Sequence, residues 1–192
     1  MAKKYEFKPD KPRSGFLSRF YLTQKQRRSL LKWLFYGLFL LALSILQDVL
    51  LCRVRLWGAT TELIPCGIIL ICLAEGVEQG SVFALVASCL YLFSGTAAGI
   101  YSIVFITALA VFVTLFRQGY LKKGFSAAML CVTVALPVYE MAVFALGLFL
   151  GLTTANRFVS FLLTAAYTLL TAPIMYPVIS AISNFGGDAW KE

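Results

Sequence analysis

Histidine is absent from the 192 residues, which removes the Ser-His-Asp triad, the Cys-His dyad and the histidine-based zinc and haem sites. Charge is scarce as well. Asp, Glu, Lys and Arg make up 14% of the chain against 60% hydrophobic residues, a balance outside the range of soluble domains. The five cysteines (Cys52, Cys66, Cys72, Cys89, Cys131) are odd in number, form no C-x-x-C pair and lie mostly in apolar runs. They read as small membrane-core residues rather than a disulfide framework or metal cage. No P-loop, G-x-S-x-G sequence, low-complexity tract or fixed-period repeat is present. What remains is an integral membrane protein for which we expect no catalytic residue, metal or cofactor.

Acidic residues are few, and the basic ones are unevenly placed. Residues 1–32 hold ten Lys and Arg against Glu6 and Asp10, and the other 160 residues hold seven of each sign. A basic segment attached to an apolar chain reads as a cytoplasmic anchor, not as a nucleic-acid-binding surface. It is too long and too basic for a secretory signal, so the apolar run from Leu30 is expected to remain as the first span.

Runs of apolar residues, divided by charge and by turn residues, predict an all-α membrane domain over 30–184. Its six transmembrane helices are expected at about 30–51, 62–75, 79–94, 99–116, 125–150 and 158–183, between a tail at 1–29 and a cytoplasmic C-terminus at 185–192. Gln79 to Phe116 carries no charge over 38 residues, about twice one span, and Ser94, Gly95 and Gly99 supply the turn between two helices. With both termini inside, the inner segments hold fourteen Lys and Arg and the outer loops three, Arg53, Arg55 and Arg157. The bias of Lys and Arg toward the cytoplasm therefore favours six spans over five.

Within this frame several residues stand out. In the tail, Phe16, Leu17, Phe20 and Tyr21 recur at helical spacing among Arg19, Arg27 and Arg28, as in a short amphipathic segment; it admits a role as membrane-surface anchor or as docking element for a partner. Gly76, Gly80, Ala84 and Ser88 repeat every four residues, a small-residue stripe that lets helices approach closely. Glu75 and Glu78 read as hydrated boundary residues, and Asp48 and Glu62 as neighbours of Arg53 and Arg55 at the outer loop. Glu140 alone lies deep in a span, where a carboxylate must face protein or water. It serves either as a neutral hydrogen-bonding strut or as a titrating group. Pro137, three residues earlier, is expected to kink its helix, as are Pro173 and Pro177 in the last one.

The order of these features resembles MreD, the bacterial rod shape-determining membrane protein family. The likeness rests on the basic N-terminus, Leu46-Gln47, Glu62-Leu63-Ile64-Pro65, Glu75-Gly76 with Gly80, Ser94-Gly95 with Gly99, Tyr139-Glu140 and Pro173, and runs over about residues 30–183. Tyr91 stands where that family commonly has Asp, and Pro65-Cys66 where it has Pro-Asn or Pro-Asp. The resemblance implies a scaffold of the cell-elongation complex in the bacterial cytoplasmic membrane. It would work there with MreC, the actin-like MreB and the peptidoglycan-synthesising RodA with its transpeptidase. The alternative is a substrate-binding S component of an energy-coupling-factor vitamin transporter, a six-helix protein of similar size and fold, which needs an outward polar pocket.

Overall fold

The computed structural model describes residues 24–49, 51–53, 58–95, 97–121 and 124–185. They form six α-helices, α1 (Gln24–Val49), α2 (Leu63–Glu75), α3 (Val77–Phe93), α4 (Tyr101–Tyr120), α5 (Phe125–Phe149) and α6 (Phe158–Phe185), with 3-10 turns at Leu51–Arg53 and Ala155–Arg157. Among the described residues there is no strand. Four of the helices, α1, α4, α5 and α6, are long and apolar enough to cross a membrane. The other two are shorter.

At 13 residues α2 is about 20 Å long, less than a hydrocarbon core of about 30 Å. It is also the most enclosed, since every residue but Ala74 is buried. Helix α2 packs against all five others, which follow one another around it in the order α1, α6, α5, α4, α3. The ring stays open between α1 and α3. These two meet at one end through Trp33, Tyr36 and Phe83, then leave an apolar groove of about 280 Å³ floored by Ile64.

Helix α1 shows why the fold belongs in lipid. Its exposed face carries Leu30, Leu34, Leu38, Leu41 and Ile45, each more than half exposed, while Lys32, Tyr36, Leu43 and Gln47 are buried. Apolar side chains outside and polar ones inside reverse the pattern of a water-soluble helix. Lipid contact accounts for the outer face. The polar groups turn inward because they find partners only in the protein.

Several boundaries differ from the sequence reading. Helix α1 begins at Gln24, so Arg27 and Arg28 belong to it and not to a separate tail segment, whereas Phe16, Arg19 and Phe20 lie outside the described residues. Helix α4 runs to Tyr120, beyond the expected span end at 116, and takes in Arg117. Its polar last turns continue the helix because nothing breaks it before Leu121. Gly76 is no part of the α3 stripe. It is the single residue between α2 and α3, at φ 93°, a left-handed value glycine adopts freely. The α-helices continue unbroken past Pro137 in α5 and past Pro173 and Pro177 in α6.

Candidate functional site

Two groups of polar side chains close the two ends of α2. A helix end leaves backbone N–H and C=O groups unpaired, and in an apolar interior each needs a partner from elsewhere. At the N-terminal end Gln47 of α1 supplies it. Its Oε1 accepts from the N–H of Leu63 at 2.9 Å and of Ile64 at 3.3 Å. The preceding N–H, on Glu62, donates to Thr168 Oγ1 of α6 at 3.0 Å, and Thr168 in turn donates to the Thr164 carbonyl. Pro65 comes next and has no N–H to satisfy, which is why proline suits the first turn.

Around this cap lies a carboxylate-tyrosine cluster. The Tyr91 hydroxyl points at the Glu62 carboxylate at 3.5 Å, the outer limit for a hydrogen bond. Glu140 of α5 is 3% exposed, and its carboxylate and that of Glu62 lie within electrostatic reach of one another and of the hydroxyls of Tyr91 and Tyr139. Two of the surrounding hydroxyls, Tyr139 and Ser102, are buried and face each other without a hydrogen bond of normal geometry. Cap and cluster together gather residues of α1, α3, α4, α5 and α6 around the start of α2. Glu140 is one of two carboxylates here, because Glu62 is partly buried beside it instead of standing at a loop margin.

The opposite end of α2 is closed by charge. Glu75, its last residue, accepts from Lys32 Nζ at 2.5 Å and from the Tyr36 hydroxyl at 2.6 Å. Lys32 and Glu75 are each 7% exposed and Tyr36 is fully buried, with Trp33 and Phe83 stacked around it. Glu75 is therefore no hydrated loop residue. Two residues earlier, the Leu73 carbonyl accepts from Arg117 Nη1 of α4. The sequence hint was Lys32 itself, a charge that follows Leu30 and Leu31 at the beginning of the apolar run.

The remaining predicted positions serve packing. Gly80, Ala84 and Ser88 form a buried face of α3, and a Cβ at Gly80 would stand 2.9 Å from Cys72 Cα on α2. Cys72 Sγ also donates to the Gly80 carbonyl, and Ser88 meets Thr107 of α4 at 3.1 Å. Ser94 ends α3, with its hydroxyl on the Tyr91 carbonyl, and Gly95 and Gly99 take positive φ in the following connection. Cys66, Cys72 and Cys131 are buried free thiols, Cys89 is half-buried, and no group of metal-binding residues occurs among the described residues.

Of the residues that carried the likeness, Gln47, Glu62 to Pro65, Glu75 and Tyr139-Glu140 stand around the two ends of one buried helix, whereas Ser94, Gly95 and Gly99 lie in the connection from α3 to α4 and Pro173 lies within α6. Gln47 and Glu75 fasten those ends to α1 through side-chain hydrogen bonds. No protein-family model, no curated protein and no solved structure matches the chain.

Proposed function

We propose that this chain is a non-catalytic scaffold of the bacterial cell-elongation machinery, working in the cytoplasmic membrane in the manner of the MreD family. It crosses the membrane six times with both termini inside, as the distribution of Lys and Arg favours. In this reading it organises MreC, and through it MreB and RodA with its transpeptidase, without turning over a substrate. The observation that carries the proposal is the use made of the polar side chains. Gln47, Thr168, Arg117, Lys32 and Glu75 are engaged in hydrogen bonds or ion pairs that fasten the ends of α2. Motifs far apart in the chain, Leu46-Gln47, Glu62 to Pro65 and Tyr139-Glu140, meet at one of those ends. A rigid central helix with a lipid-facing ring suits a protein that offers surfaces to other membrane proteins.

Depletion in a rod-shaped host is the direct test. Cells should widen or round and MreC should lose its normal distribution, with no vitamin requirement. Normal shape together with a vitamin growth defect would overturn this reading in favour of a transporter S component.

A further inference from the structure

We propose that the cavity at the C-terminal end of α2 is a binding site for a phosphate-type anion, the group shared by acidic lipid headgroups and free phosphate. The cavity measures about 220 Å³, many times what a single water requires, and lies between α2, α4, α5 and α6. Its one charged lining residue is Arg117. A guanidinium stays protonated and presents several N–H donors in a planar fork. Here Nη1 is taken by the Leu73 carbonyl, whereas Nε is buried and has no hydrogen-bond partner.

Among the described residues no acidic side chain pairs with this arginine. The acidic group at the same end of α2, Glu75, is taken up by Lys32 and Tyr36, and none of the described residues that line the cavity is acidic. The other polar lining groups are Ser180, Ser183 and Asn184 of α6 together with Tyr176, hydroxyls and an amide able to donate to oxygen. Ala128 brings the first turn of α5 to the wall, so the positive end of that helix dipole borders the space. A guanidinium with no acidic partner among the described residues, neutral donors beside it and a helix N-terminus favour an anion with several oxygens. Phosphate oxygens match the arginine fork.

The test uses the full chain in nanodiscs and follows thermal unfolding. Phosphatidylcholine discs are compared with discs that also contain phosphatidylglycerol, and with phosphatidylcholine discs titrated with inorganic phosphate against chloride at equal ionic strength. Two variants are measured beside the wild type. Arg117→Gln removes the charge, and Ser180→Leu fills the cavity while leaving Arg117 and its bond to Leu73 in place. The basic N-terminal segment is identical in all three, so its attraction to acidic lipid cancels in the comparison. Stabilisation by phosphatidylglycerol should require about tenfold more of the lipid in both variants, the scale of losing a charge-assisted hydrogen bond. If phosphate stabilises the wild type and the variants lose that response, the site takes the free ion; if phosphatidylglycerol alone does so, it takes the headgroup. Equal responses of wild type and Ser180→Leu to both anions would overturn the proposal, and that variant decides the matter if Arg117→Gln fails to fold.

Discussion

Replacing Gln47 by leucine tests the idea that the buried end of α2 depends on a side-chain cap from α1. The substitution nearly preserves volume and deletes the one oxygen that receives two backbone N–H groups, of Leu63 at 2.9 Å and of Ile64 at 3.3 Å. Gln47 is 8% exposed and Leu63 and Ile64 are 2% and 4% exposed, so water does not readily replace it. A buried polar group left unpaired costs about 1–3 kcal/mol. Counting the shorter bond fully and the longer one at half, the loss comes to about 2–4 kcal/mol. The added apolar surface offsets little, because in lipid there is no hydrophobic drive to bury it. For a chain of this size that loss lowers the melting temperature by about 5–15 °C. A thiol-reactive fluorophore reads the transition at the relevant place, since Cys66 and Cys72 lie on α2 and are 0% and 1% exposed. Thr168→Val removes a different acceptor, that of Glu62 N–H, and should lower the transition as well. A Gln47→Leu protein melting within about 2 °C of the wild type would show that the α2 cap carries no weight.

Four further outcomes are expected. Lys32→Met strands the Glu75 carboxylate and should cost about 3–5 kcal/mol, most of it recovered when Glu75→Gln is added; strictly additive losses on thermal unfolding would refute the buried ion pair. Gly80→Ala puts a methyl 2.9 Å from Cys72 Cα and should cost about 1–3 kcal/mol, seen as a smaller monodisperse fraction in detergent, whereas Gly119→Ala, which meets nothing within 4 Å, should be tolerated. Glu140→Gln should complement a deletion strain at matched membrane levels and Glu140→Leu should not; equal failure of both would instead identify a titrating group and count against a scaffold. In a cysteine-free background, single cysteines at Lys123 and Lys191 should label only from inside and one at Arg157 only from outside; labelling of 123 and 157 from one side would exclude six crossings.

Much of this fold is legible from composition and spacing. Long uncharged runs separated by Ser94-Gly95, by Lys122-Lys123 and by Thr153-Thr154 mark helices, because a chain in lipid must satisfy its backbone internally and can change direction only where polar or flexible residues permit. Six helices follow from that, as does the small-residue face Gly80, Ala84, Ser88. Helix α2 is distinguished from its neighbours by being short and by being apolar on every side from Leu63 to Ala74, the pattern of a fully buried helix. Its short length makes sense once five helices shield it and side chains from α1, α4 and α6 close its ends.

The polar residues divide in the same way. Glu140 stands out in the sequence because it interrupts an apolar run, and Lys32 does so less plainly near the margin of another. Glu62, Glu75 and Arg117 sit at the edges of runs, where charge is cheap, and their sequence positions are compatible with full hydration. Tertiary structure alone decides otherwise, by folding α2 back on α3 at Gly76 and drawing both ends of α2 inside the ring. A residue at the end of a helix is at the surface only if that helix reaches the surface. In this protein both ends of α2 are covered by neighbouring helices, so its terminal polar groups acquire partners 43 and 44 residues away, Lys32 for Glu75 and Arg117 for the Leu73 carbonyl, which no local pattern specifies.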